Sequence, residues 1–209
     1  MGPVWAVVVA AGSGDRYGTA KQYERLVGRR VLDWSLAAAR ASAAGVVLVV
    51  PAERAFEPEE ADAVVAGGDT RSISVRAGLA AVPADAEVIV IHDAARPAAT
   101  RALFSAVIRA VNDGADAAIP GLPVVDTLKR VRDGVVVETI DRRGLWSVQT
   151  PQAFRASVLR VAHAGGGEAT DDAVLVEEHG GRVVVVPGEP TNIKLTSPDD
   201  LMRLTEALS

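Results

Sequence analysis

Apolar residues along this chain gather in short runs separated by longer stretches of helical spacing. The runs at residues 6–10, 46–50, 63–66, 88–91 and 115–119 are rich in Val, Ile and Ala. Continuous apolar runs of this length, bounded by turn residues, read as strands buried on both faces of a parallel sheet. Between them, residues 31–41, 71–81 and 101–111 read as helices, the last with Thr100 as its N-cap. Strand and helix in alternation predict a doubly wound α/β sheet. Its strand-following loops gather at one edge, where ligands bind.

The alternation breaks over residues 126–140, D-T-L-K-R-V-R-D-G-V-V-V-E-T-I. Two β-rich runs flank Asp133-Gly134, a strong two-residue hairpin turn. Polar and apolar positions alternate poorly, so the hairpin is either a sheet edge or an arm that needs a partner. Beyond it, residues 156–164 and 171–178 read as helices, 183–186 as a strand and 193–195 as a short strand. Ser197-Pro198 starts a final helix running to about residue 207. No linker marks a second domain. Residues 1–209 are expected to form one domain with an insertion at about 124–149.

Composition narrows the possible partners. A hydrophobic fraction of 49% with 23% charged residues is that of an ordinary soluble globular protein. A net charge of −5 argues against a broad basic face for nucleic acid or an anionic membrane. Any phosphate site is then a local basic pocket in an acidic molecule. The absence of cysteine excludes disulfides, thiolate chemistry and a Cys-based zinc site, and is consistent with the cytoplasm. The first residues, M-G-P-V-W-A-V-V-V-A-A-G, carry no basic leader and too short an apolar run to span a bilayer, so no targeting segment is expected.

The first run ends in A-A-G-S-G-D-R-Y-G-T-A-K-Q, residues 10–22. Glycines just past a buried strand let backbone N–H groups approach an anion, and Arg16 and Lys21 add full charges to those partial ones. The dinucleotide fingerprint G-x-G-x-x-G fails at its third glycine, where Tyr17 stands. A P-loop fails because Lys21 does not adjoin a glycine. The form A-A-G-x-G-x-R with a lysine a few residues on is similar to the loop of sugar-nucleotide transferases.

Other candidates follow later runs. I-H-D-A-A-R-P, residues 91–97, puts Asp93 and Arg96 just past a strand end. An Asp there can hold a magnesium ion or a ribose hydroxyl, and an Arg can fork onto phosphate oxygens. His92 points to the other side of the strand and reads as a packed histidine. G-G-D-T-R-S-I-S-V, residues 67–75, offers two glycines for close approach to a flat ring, and Asp69 or Thr70 as a helix cap. Thr127, Arg142, Thr150 and Lys194 stand out further on, Lys194 because it interrupts an apolar stretch. Thr170-Asp171-Asp172 reads first as a cap. His163 and His179 read as isolated helix residues without metal-ligand spacing.

There is no G-x-S-x-G elbow and no Ser-His-Asp set. A phosphate monoester, with a second pKa near ~6, is itself a dianionic nucleophile at neutral pH and needs no general base. It does need cations to approach a triphosphate, since two unit charges ~4 Å apart repel by about 4 kcal/mol at an effective dielectric near 20. Arg16, Lys21, Arg96, Arg142 and Lys194, with magnesium on the phosphates, answer that need.

Eight motifs occur in order: A-A-G-S-G-D-R with Lys21-Gln22, G-G-D-T-R-S-I-S-V, H-D-A-A-R-P, D-T-L-K-R, D-R-R-G-L-W, T-P-Q, T-D-D-A and N-I-K-L-T. With them the chain resembles, over nearly its whole length, the 2-C-methyl-D-erythritol 4-phosphate cytidylyltransferases of the non-mevalonate isoprenoid pathway. The resemblance implies a three-layer αβα nucleotidyltransferase core, Rossmann-like with a mostly parallel sheet, and a protruding β-arm. It implies transfer of CMP from CTP onto methylerythritol phosphate with release of diphosphate. Mg2+ is the implied cofactor, held mainly by the CTP phosphates, with its protein ligands unknown. Arg16 and Lys21 match the pair that stabilises charge at the α-phosphate, and Arg142 and Lys194 the pair that positions the acceptor. Ala10, Ala11, Gly12, Gly14, Gly68, Asp69 and Ser74 match nucleotide-holding positions. Asp93, Arg96, Thr127, Thr150 and Thr170 match acceptor or ribose contacts. In the family the arms of two subunits interlock. The resemblance therefore favours an arm, a homodimer, and service of the neighbour's site by Thr127 and Arg142.

Departures from the family pattern are Val9, where many members have proline, and Asp15, where many have a basic residue. Nothing follows Ser209, so the stand-alone form is expected rather than a fusion with the next cyclase of the pathway. Two other readings share part of the signature. Ribitol-5-phosphate cytidylyltransferase has similar motifs and the same chemistry, but D-T-L-K-R and H-D-A-A-R-P favour the first reading. A non-catalytic nucleotide-binding module would keep the glycine loop and have no use for Lys21 or Lys194.

Overall fold

The computed structural model describes residues 2–12 and 20–209. Strand β1 (Val4–Val9) leads into the glycine loop, and a small hairpin of β2 (Arg25–Leu26) and β3 (Arg29–Arg30) precedes α1 (Val31–Arg40). The expected alternation continues with β4 (Gly45–Val50), β5 (Ala63–Ala66), α2 (Arg71–Ala81), β6 (Val88–Asp93), α3 (Arg101–Asn112) and β7 (Ala117–Pro123). A separate hairpin of β8 (Leu128–Arg132) and β9 (Val135–Ile140) follows. The chain returns to the sheet through β10 (Trp146–Val148) and β11 (Gln152–Arg155), then ends with α4 (Ala156–Ala164), α5 (Asp172–Glu178), β12 (Val183–Pro187) and α6 (Pro198–Leu208).

The main sheet runs β5-β4-β1-β6-β11-β7-β12, with β10 on the side of β7 that also holds β11. The pairs among β5, β4, β1 and β6 are parallel, while β10 and β11 run antiparallel to their neighbours. Side chains along a strand alternate between faces. Val8, Leu48 and Val90 therefore pack with Leu32, Leu36, Phe104 and Val107 of α1 and α3. Val7, Val47, Val49, Ile89 and Ile91 pack with Val75, Leu79, Leu159 and Val176 of α2, α4 and α5. Both clusters are buried, which makes this the expected three-layer αβα sandwich. Each buried Val, Leu or Ile contributes roughly 1.5–3 kcal/mol relative to leaving it exposed.

Local chemistry sets the helix starts. Thr70 and Thr100 accept from the N–H groups of Ile73 and Leu103 at 3.2 and 3.1 Å. Asp171 accepts from Ala173 and Val174 at 2.9 and 3.2 Å. The cap of α2 is thus Thr70, not Asp69. Asp133 and Gly134 have φ of 49° and 78°, the left-handed pair that a two-residue hairpin turn requires, and they join β8 to β9 as expected. Val131, Val135, Val136 and Val137 of this hairpin are exposed.

Three expectations change. Strand β6 extends to Asp93, so Asp93 ends the strand instead of following it. Strand β7 lies two residues later than expected at its start and runs on to Pro123. The strand expected at 193–195 does not form. The backbone bond there from Leu195 N–H to Ala95 C=O at 2.8 Å reaches the loop after β6, where no strand edge continues the ladder.

Helix α2 lies unusually close to the sheet at Gly78, where a Cβ would sit 2.4 Å from Val7 Cγ1 and 2.9 Å from Val49 Cγ2. Gly78→Ala is therefore expected to lose about 1–3 kcal/mol through overpacking, although alanine is ~1 kcal/mol the better helix former. Urea unfolding measures this; an unchanged midpoint would show that the helix accommodates the methyl group.

Candidate active site

The loops after β1, β4, β5 and β6 open onto one cleft of about 730 Å³. Ala10, Ala11, Gly12, Lys21, Gly68, Asp69, Ser74, Asp93 and Lys194 all line it. The cleft lies at the carboxyl ends of the parallel strands, the edge that the βα alternation predicts.

Its wall begins at the end of β1. The buried Gln22 side chain donates to the carbonyls of Ala10 at 2.7 Å and Gly12 at 3.1 Å, which fixes the approach to the glycine loop. On the other side, Ser74 Oγ accepts from the N–H of Gly68 at 3.2 Å. A Cβ on Gly67 would lie 2.4 Å from that of Ala11, so only glycine lets the two walls meet. The capped N-terminus of α2 brings Thr70 and Arg71 to the cleft, and its unpaired N–H groups carry partial positive charge.

Asp93 is the electrostatic centre. Lys194 Nζ donates to its Oδ2 at 2.6 Å and Arg71 Nε to its Oδ1 at 3.2 Å. Arg71 Nη1 reaches back to Asp172 Oδ2 at 2.8 Å, and His163 Nε2 lies 3.1 Å from Asp172 Oδ1. Burial pushes the Asp93 carboxyl up, but Arg71 and Lys194 outweigh it and hold the group below the usual carboxylate range. Burial likewise works against the Arg71 charge, and the carboxylates of Asp93 and Asp172 outweigh it.

His92 faces the opposite side of β6, as expected, with its ring 5.1 Å from that of Phe104. Thr150 Oγ1 accepts from the Asp93 N–H at 3.0 Å and lies 3.1 Å from His92 Nδ1. Complete burial pushes His92 down to about 4, so it is neutral at physiological pH.

The family model described as "IspD: 2-C-methyl-D-erythritol 4-phosphate cytidylyltransferase" matches residues 4–208. The chain belongs to this family. The 2-C-methyl-D-erythritol 4-phosphate cytidylyltransferase of Rubrobacter xylanophilus is 43% identical over 224 residues, covering 97% of this chain and 93% of that protein. The bifunctional enzyme IspD/IspF of Caulobacter vibrioides is 47% identical over 207 residues, covering 93% of this chain and 54% of that protein. The chain thus spans about half the length of the bifunctional relatives it matches. The crystal structure of the Thermus thermophilus cytidylyltransferase superposes with a TM-score of 0.83 at 37% identity, covering 97% of this chain and 96% of that one.

Not every residue matched to the cytidylyltransferase motifs meets in the cleft. Gly14, Asp15 and Arg16 lie outside the described residues. Thr127 and Arg142 are exposed beside the β8–β9 hairpin, and Arg142 donates to the Val125 carbonyl. Thr170 is exposed beside the Asp171 cap and does not line the cleft. Arg96, expected to fork onto phosphate, donates to the carbonyls of Asn192 at 2.8 Å and Val148 at 3.5 Å. The Thr150 hydroxyl, expected to touch the acceptor, is occupied by Asp93 and His92. Arg96 is half-buried, the Thr150 side chain is buried, and neither lines the cleft.

Sequence reasoning missed Arg71, Gln22 and the Asp172–His163 pair. Arg71 was visible only as the residue after a helix cap. His163, expected to be isolated, is buried against Asp172. Among the described residues no helix is long and apolar enough to cross a membrane.

The depressed His92 gives a pH dependence. Between its ordinary value near ~6.5 and its folded value of about 4, the unfolded chain binds a proton that the folded chain does not. Stability is therefore full above pH ~6.5 and falls by up to about 3 kcal/mol as the pH drops to ~4. The contribution of Asp93 is lost lower still, below its unfolded value near ~3.9. Denaturant titrations across pH 7 to 4 test this. His92→Leu should flatten the slope in that window, and an unchanged slope would remove His92 as its source.

Proposed function

We propose that this protein transfers CMP from CTP to the phosphate of 2-C-methyl-D-erythritol 4-phosphate and releases diphosphate. The observation that carries this reading is the meeting of Lys21, Arg71 and Lys194 around a glycine-walled cleft in a member of the cytidylyltransferase family. An acceptor phosphate oxygen attacks the α-phosphorus of CTP. The bond from that phosphorus to the bridging oxygen breaks, and diphosphate leaves with the electron pair. The acceptor is a dianion near neutral pH, so no side chain has to remove a proton. Arg16 and Lys21 stabilise the charge that moves through the α-phosphate onto the leaving group. Lys194 holds the acceptor phosphate, and Gly68, Asp69 and Ser74 flank the cytosine.

Among the described residues no group of three or more His, Asp or Glu side chains can hold a metal ion, and both Asp93 oxygens already face cations. Mg2+ enters with the phosphates of CTP, which supply most of its ligands. The exposed apolar residues Val131, Val135, Val136, Val137 and Trp146 support a homodimer in which two arms cover one another. Each arm then offers Thr127 and Arg142 to the neighbour's cleft, which explains why neither lines its own. A cytoplasmic location goes with CTP as donor.

Diphosphate release from CTP, Mg2+ and methylerythritol phosphate tests the activity. A preference for ribitol 5-phosphate would reassign the acceptor, and no release with either would end the reading. Lys21→Ala should lower kcat about 10²–10³-fold, the effect of removing one transition-state charge donor. Mixing Lys21→Ala with Arg142→Ala protein should restore about a quarter of wild-type activity, because half the dimers are mixed and each has one intact site. Mixtures no better than the separate variants would exclude arm exchange.

A further inference from the structure

We propose that Arg71 is a positioning residue: it keeps the Asp93 carboxylate neutralised and in place, so that Lys194 can leave it for the acceptor phosphate. The proposal rests on the reading that Lys194 holds that phosphate. In the structure Lys194 is not directed at a ligand, since its Nζ donates to Asp93 Oδ2 at 2.6 Å. Its ammonium has three N–H donors, so it can reach a phosphate, but to hold one firmly it must weaken its pairing with Asp93. A carboxylate this buried with a single counter-charge would resist that departure, because losing the partner leaves it unpaired away from water.

Arg71 removes the difficulty by occupying the other oxygen, Oδ1, at 3.2 Å. It is held from three directions. Its backbone is the first residue of α2, set by the Thr70 cap. Its Nη1 is fixed on Asp172 Oδ2 at 2.8 Å, and Asp172 is fixed by His163 at 3.1 Å. The outcome is a row of groups running from α4 and α5 to the cleft: His163, Asp172, Arg71, Asp93, Lys194. Side-chain exposure is 1% at Asp172, 11% at Asp93, 23% at Arg71 and 36% at Lys194. The cation at the open end is the one able to move, and the inner one stays with the carboxylate.

The test exploits the lysine count. The chain has three lysines, Lys21, Lys129 and Lys194. Trace acylation read by peptide mass spectrometry therefore reports the availability of Lys194 against Lys129 on the arm, with no turnover needed. Arg71→Met leaves Lys194 as the close partner of Asp93, and its acylation should fall about tenfold, as for one pKa unit of tighter pairing. Arg71→Lys keeps the charge and should stay within about twofold of wild type. Asp172→Asn, outside the cleft, loosens Arg71 and should lower Lys194 acylation in the same direction. In turnover, Arg71→Met and Asp172→Asn should raise KM for the acceptor about tenfold and leave KM for CTP within about twofold.

A merely structural role would lower stability and kcat without this selectivity. Lys194 acylation in Arg71→Met equal to or above wild type would overturn the proposal. Should the wild-type protein fail to use methylerythritol phosphate, the functional reading falls, and the acylation comparison still decides for or against Arg71.

Discussion

A carboxylate at the inner end of a central strand governs how this site assembles. Asp93 ends β6, between β1 and β11, and is nearly buried. It is tolerable there because Arg71 and Lys194 meet it from two other segments. Stripping one partner from such a buried pair typically costs ~3–5 kcal/mol. The cleft is therefore complete only when three things are in place together: the order of the central strands, the close approach of α2 at Gly78, and the segment that carries Lys194. Folding and the building of the site are one event.

That last segment has no ladder to hold it, and side chains do the work instead. Asn192 Nδ2 donates to the Thr150 carbonyl at 2.9 Å, and Gln149 Nε2 donates to the Glu189 carbonyl at 2.9 Å. Arg96 clasps the Asn192 carbonyl at 2.8 Å. These bonds tie the segment to the loops beside it, and within the network only Asn192 Oδ1 and Arg96 Nε are buried without a partner among the described residues. They explain why N-I-K-L-T stays extended beside the loop after β6 without being a strand.

Much of the fold is legible in the chain because its signals are local. The run at 46–50 becomes β4, buried throughout; Thr70 and Thr100 cap their helices; Asp133-Gly134 turns the hairpin. The glycine-flanked residues of the cleft are legible for the same reason, since a strand followed by glycine marks its own loop. Strand β11 escaped because four residues, only Ala153 and Phe154 of them apolar, carry no period to read. Arg71 escaped because its partners are 22 and 101 residues away. Nothing near an arginine in sequence states which distant carboxylates it will join. Arg142 is the reverse case: its motif is plain, yet a single chain holds it away from its own cleft.

The pairing pattern also explains how an acidic protein, with a net charge of −5, gathers cations at one cleft. Cations crowded into a cleft would repel one another and destabilise the fold wherever water is scarce. Here Asp93 lies between Arg71 and Lys194, and Asp172 lies on the far side of Arg71, so like charges are separated by unlike ones. On the proposed reading, an entering phosphate oxygen need not be matched by a bare, waiting ammonium. It replaces one carboxylate oxygen around a cation that is already partly desolvated. Exchanging one oxygen partner for another is a smaller change than stripping water from an isolated charge.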